Sequence, residues 1–286
     1  MHTLEAFAQK LRRLRRLARP PVTGGAYRWH MNGGHGDVQP GVGAVPAPVG
    51  LRTIFVALGA SALLAATIFS ALPASASGIF VRAANATGPN EADLVTEGPN
   101  HTLQYHFATP SSQWQNVQVA GAGSTYSAPS IFVRAADATG PNEADIVAEG
   151  PNNSLQYYWA TPGGQWHHAQ IAGPGTTYSA PSIFVRPDNA PQQDEADIVA
   201  EGPNNTLQYY WATPGSPWQH AQVAGPGSTY SAPSIFVRAP GGDGKEANEA
   251  DIVAEGPNHT LQYYLAMPGS PWQHAQVAGP GSTYSG

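Results

Sequence analysis

Residues 131–178, IFVRAADATGPNEADIVAEGPNNSLQYYWATPGGQWHHAQIAGPGTTY, decide the fold. Four short runs in this stretch alternate apolar and polar side chains with a period of two, which is the signature of half-buried strands. Strands are predicted over 130–134, with Ile131 and Val133 on one face, and over 143–149, with Ala144, Ile146 and Ala148 opposed to Asp145, Val147 and Glu149. A third is predicted over 155–160, aligning Leu155, Tyr157 and Trp159, and a fourth over 166–172. The breaks at Gly150-Pro151-Asn152-Asn153 and Thr161-Pro162-Gly163-Gly164 carry turn chemistry, because Gly and Asn tolerate backbone angles that other residues avoid. No run shows a helical period, so the unit is read as a four-stranded antiparallel meander.

The unit recurs. IFVR begins at Ile79, Ile131, Ile183 and Ile235, at intervals of 52, and a tryptophan follows at Trp114, Trp166, Trp218 and Trp272. The last interval is longer by two residues, placed between Arg238 and Glu249 where the repeats also differ in composition, so that segment reads as a surface loop. A sheet of roughly fifty residues buries too little apolar surface to stand alone, and the repeats must stack. Linear stacking needs polar caps on the end repeats, whereas the last repeat keeps Leu261, Tyr263, Trp272 and Val277. Radial stacking is therefore expected: an all-β propeller of four blades per chain, at about 79–130, 131–182, 183–234 and 235–286, with ring closure favoured. Pairing of two chains into a larger ring, a homo-oligomer, is the other route to closure.

Charge divides the chain. Residues 1–76 hold eight basic and two acidic residues, net +6, while 77–286 hold five basic and seventeen acidic, net −12, which argues against nucleic acid as a partner of the repeats. There is no cysteine, hence no disulfide framework or thiolate site. Residues 1–50 form a basic, then Gly/Pro-rich leader expected to be disordered, with Met31 as an alternative start. The paired arginines at 12–13 and 15–16 make only a weak twin-arginine signal, because they lie far from the apolar run and lack its flanking residues. Residues 51–76 (Arg52, then an uncharged stretch ending Ala74-Ser75-Ala76) are predicted to form one apolar export or anchor helix. A cleaved secretory signal is favoured over an uncleaved anchor. Either reading puts the repeats outside the membrane, secreted or on the cell surface, touching it only through 51–76 if that segment is uncleaved.

The succession SAPSIFVR, EADIVAEGPNNSLQYYWATPGGQWHHAQIAGPGTTY resembles the blades of bacterial β-propeller lectins of the Photorhabdus fucose-binding type. The match runs through Ser179-Ala180-Pro181 entering the next blade, Gly150 and Asn153 in the turn, Leu155 and Tyr157 to Trp159 in the third strand, then Gly164, Trp166 and Gly173. It covers residues 79–286 and is a blade pattern. The resemblance implies carbohydrate binding by a non-enzyme, in a family whose members commonly carry more blades.

The chemistry-bearing residues agree with recognition rather than catalysis. Glu143, Asp145 and Glu149 recur in every repeat, and repetition around a ring is the wrong geometry for one asymmetric acid/base pair. Their expected partner is the arginine of the preceding strand, Arg82, Arg134, Arg186 or Arg238. His167 and His168 are adjacent on a strand and point to opposite faces, so no metal site is expected, and no cofactor. The Asn-x-Ser/Thr sequences at Asn100, Asn152, Asn204 and Asn258 read as hairpin turns. Aromatic rings beside amides and hydroxyls are what a weak sugar site needs, and repetition turns weak contacts into avidity. The candidate ligand-binding residues are Trp114, Trp166, Trp218, Trp272, Tyr126, Tyr178, Tyr230, Asn153 and Asn205, in sites between blades of a multivalent glycan-binding protein. The alternative is a structural or protein-interaction propeller with every tryptophan buried.

Overall fold

Each repeat builds one four-stranded antiparallel sheet whose strands pair in chain order, first to fourth. The computed structural model describes residues 76–82, 91–134, 142–186, 194–238 and 248–283. In the second blade the strands are Ser130–Arg134, Glu143–Gly150, Ser154–Ala160 and His167–Ala172, within one residue of the boundaries read from the alternation. The first blade begins with Ala76–Arg82, so Ala76 belongs to a strand. The leader and the rest of the apolar segment lie outside the described residues. Among the described residues no helix is long and apolar enough to cross a membrane.

The hairpin between second and third strands owes its shape to Asn. Asn152 and Asn153 adopt φ of 57° and 59°, the left-handed region, and Asn100, Asn204 and Asn258 repeat it. Gly150, just before the turn, leaves little room for a side chain: a Cβ there would meet Gln156 Cγ at 2.4 Å. The third-to-fourth hairpin contains a register shift between Leu155 and Gln156, repeated in every blade, which period-two reading did not anticipate.

Alternation gives each sheet two faces, and stacking covers them in a fixed order. Val95 and Leu103 of the first blade join Ile131, Val133, Ile146 and Tyr158 of the second in one buried cluster. Val147 and Leu155 join the matching residues of the third blade, and Val199 and Leu207 those of the fourth. A back face of one blade thus meets the front face of the next. Consecutive sheets meet chiefly through their first strands, which places those strands innermost, and the fourth strands splay outward as in a propeller. A column of phenylalanines marks the inner edge, with ring centroids of Phe80, Phe132, Phe184 and Phe236 4.9, 4.9 and 5.0 Å apart.

Four blades make an arc in this structure, where a closed ring was favoured. The first strands of the first and last blades do not pack on each other as the other consecutive pairs do. On the front face of the first blade Ile79 is 50% and Val81 47% exposed, whereas Ile131 and Val133 are 6% and 4%. On the back face of the last, Phe236 is 55% and Val253 40% exposed. Uncapped ends did not mean covered ends, because apolar content specifies a surface to bury without supplying the partner.

Candidate functional site

Period two puts Arg134, Glu143, Asp145, Tyr157 and Trp159 on one face of the second blade, the back face that meets the third. Arg134 ends the first strand directly opposite Glu143. Its Nε and Nη2 donate to Asp145 Oδ2 and Oδ1 at 2.8 and 2.9 Å, Nη2 also pairs with Glu143, and the Tyr157 hydroxyl donates to Asp145. Asp145 is wholly buried while Arg134 and Glu143 keep 14% and 23% of their side-chain surface, so the charged cluster is anchored inside and open at its outer edge. Burial pushes the Glu143 carboxyl above its ordinary range, Asp145 adds to the shift, and Arg134 opposes it. Burial also works against charge on Arg134, but its bonds to Asp145 outweigh this and hold the guanidinium ionised.

The third blade supplies the other wall. Trp218 packs edge-on against Tyr157 with centroids 5.2 Å apart, while Trp159 stacks on the same tyrosine at 5.2 Å. Asp194 of the third blade lies 3.8 Å from Arg134 Nη1. Two junctions repeat this cleft: Arg186, Glu195, Asp197, Tyr209 and Trp211 against Trp272, and Arg82, Glu91, Asp93, Tyr105 and Phe107 against Trp166. Each cleft offers guanidinium donors, carboxylate acceptors and aromatic surface, which suits a ligand with hydroxyls on one side and C–H groups on the other.

The predicted residues fall into two groups that the fold separates. Trp114, Trp166, Trp218 and Trp272 are half-buried, each just before a fourth strand, at the end of the blade that carries the arginine. Asn153 and Asn205 sit in the opposite hairpin turns and donate to Glu149 and Glu201 at 2.7 and 2.8 Å. Glu149 therefore answers to Asn153, and the expected pairing with the preceding arginine holds only for Glu143 and Asp145. Tyr126, Tyr178 and Tyr230 share the turn end: their backbone N–H groups donate to the Glu149, Glu201 and Glu255 carbonyls at 2.9 Å, and their side chains are 45–48% exposed. His101 stacks on Tyr126 at 4.5 Å.

Sequence reasoning missed the arginine and glutamate as site residues, since a cross-strand ion pair explained them. The available signal was surplus: one arginine faces two carboxylates in each repeat, more than a simple pair needs. His168 stacks on Tyr158 at 4.7 Å and bonds Gln156 at 2.7 Å, and burial lowers its pKa. Among the described residues no three His, Asp or Glu are grouped to hold a metal.

No family model and no curated protein matches this chain. Solved structures do match in fold. A lectin from Burkholderia pseudomallei aligns with TM-score 0.56 at 16% identity over 67% of this chain and 53% of its own. A mutant of AofleA from Arthrobotrys oligospora gives 0.52 at 14%, covering 66% and 54%. A mutant of Aleuria aurantia lectin in complex with alpha-methyl-L-fucoside gives 0.51 at 12%, covering 72% and 63%. The chain thus spans between about half and two thirds of these proteins, and at such identity the likeness establishes the fold they share: four-stranded antiparallel sheets stacked as blades.

Proposed function

We propose that this chain is an exported, multivalent carbohydrate-binding protein whose sites are the clefts between blades, with fucose-type sugars as the ligand class. The observation that carries the reading is the recurrence at each internal junction of an Arg/Glu pair open at one edge and walled by aromatic rings. The tryptophans are half-buried, so they retain surface for a sugar ring, where an interaction propeller with all of them sealed in the core would not. The resemblance of the blade sequence and the likeness to lectin structures, one of them holding a fucoside, support the same reading. Repetition adds avidity to contacts that are individually weak.

In this reading Arg134 and Glu143 bind adjacent sugar hydroxyls and Trp218 takes the apolar face of the ring. Calorimetric titration of the full chain with methyl α-L-fucoside should give several sites per chain. Trp218→Ala should remove one of them, leaving the others at unchanged affinity. Failure of the chain to bind any sugar on a glycan array would overturn the proposal.

A further inference from the structure

The two open faces at the ends of the arc are the two halves of an interface the molecule already makes three times. Inside the chain a back face bearing Phe, Val, Leu and Tyr receives a front face bearing two aliphatic residues of the first strand and the tryptophan before the fourth. The last blade ends in an unused back face. Phe236, Val253 and Val277 are 55%, 40% and 41% exposed there, and a groove lined by Ser231, Ser234, Val253, Glu255, Leu261 and Thr283 opens beside them. The first blade ends in an unused front face, with Ile79 and Val81 50% and 47% exposed and Leu94, paired with Ile79, buried at 6%.

Several details fit the halves together. The phenylalanine column stops at Phe236, one step of about 5 Å short of where another Phe80 would continue it. Ser130 and Ser182 each accept the backbone N–H of the next blade's first strand at 3.4 Å, and Ser234 stands at the same position on the last blade. The segment Ser75-Ala-Ser-Gly-Ile79 matches Ser127-Ala-Pro-Ser-Ile131, the segment that enters the second blade. The front face of the first blade does carry Thr96 and His106 where the others have Ala and Tyr. These two lie 3.2 Å apart and His106 also meets Asn116 at 3.1 Å, so each already has a polar partner on that face.

We propose that two copies of the chain join head to tail, the back face of each last blade receiving the front face of the other's first blade, and close into one ring. Propellers close with about four to eight blades, so two four-bladed arcs fill the range and three exceed it. A head-to-tail contact that does not close would grow into filaments, and closure limits the assembly to a pair. Each junction also completes a cleft that one chain leaves half-built: Arg238, Asp251 and Tyr263 form its inner wall, and Trp114 of the second copy takes the place that Trp218 holds against Tyr157. The assembly rests on the stacking of blades and stands whether or not the ligand is a sugar.

The test is the solution mass of the full chain by sedimentation equilibrium at micromolar concentration, expected at twice the chain mass. Val81→Asp on the head and Val253→Asp on the tail alter exposed positions, so circular dichroism should show each variant folded. Each alone should sediment as a monomer, with the dissociation constant raised at least about a hundredfold, because docking would bury an unpaired carboxylate. Mixing the two variants restores one unaltered head and one unaltered tail, and should regain the dimer mass through a single junction. A monomeric wild type overturns the proposal, whether the ends are then covered by residues 1–75, by further blades or by nothing. A dimer that survives Val81→Asp, or variants that stay monomeric when mixed, overturns the head-to-tail arrangement.

Discussion

The first strands of blades one and two both read IFVR, yet Ile79 is 50% exposed and Ile131 6%. The same contrast reaches the charged clusters. In blade two Arg134 grips Asp145 with two nitrogens, whereas in blade one Arg82 turns to Glu91, its Nη2 lies 3.7 Å from Asp93, and Arg82 Nε and Asp93 Oδ2 are buried without a hydrogen-bond partner. Burial, opposed by Tyr105 and Arg82, pushes the Asp93 carboxyl up to about 7. The same arginine and aspartate therefore contribute differently in the two blades, whose second and third strands differ at Leu94, Thr96, His106 and Phe107 against Ile146, Ala148, Tyr158 and Trp159.

The largest effect should be a reversal of sign between these two aspartates. An acid whose folded-state pKa lies above its unfolded value leaves stability intact at low pH. It costs stability progressively as pH rises from the unfolded pKa, near 3.8, to the folded one, about 7. At roughly 1.4 kcal/mol per unit of displacement the cost is on the order of a few kcal/mol at pH 8. Asp93→Asn should abolish that cost, flatten the decline between those pH values and raise stability at pH 8. Asp145→Asn should instead destabilise by about 3 kcal/mol, because it removes the buried charge that two nitrogens of Arg134 hold and leaves that arginine only Glu143 as a counter-charge. Urea unfolding of both variants across pH separates the cases, and a parallel loss at both positions would erase the distinction between the blades.

Next in size is the apolar face. Ile131→Ala removes a buried side chain between blades and should cost about 2–5 kcal/mol in urea unfolding. Ile79→Ala should cost under about 1 kcal/mol when measured on dissociated chains. Equal losses would mean that the front face of blade one is covered within a single chain.

The smallest effect should be the same in every blade. Asn152 holds φ of 57°, and Asn152→Ala should cost about 1 kcal/mol, the penalty of left-handed backbone for a side chain that cannot relieve it, while Asn152→Gly stays near neutral. Asn100→Ala in blade one should match it. Agreement would confine the difference between blades to their faces and ion pairs, leaving the hairpins alike.

Much of this was legible in advance, and the reasons are local. Alternation placed Ile131 with Val133 and Tyr157 with Trp159, and Gly-Pro-Asn-Asn marked a turn because few residues tolerate its backbone. The register shift at Leu155 was not legible, since a bulge changes pairing without changing composition. Nor was the site: Arg134 and Glu143 looked like an internal pair until the stacking of blades brought Trp218 of the next repeat to their side. The tryptophans and the Tyr126-type residues share one aromatic pattern in the sequence, but the bond from each tyrosine N–H to a Glu149-type carbonyl holds it at the turn end, opposite the tryptophans.

Sequence by itself determined the repeating sheet, its four strands, its turns and which side chains share a face, because these follow from backbone geometry within some fifty residues. Only the tertiary structure decided which faces are covered and which arginine holds its aspartate. Burial needs a second surface, and whether that surface arrives is a property of neighbours that no single repeat encodes.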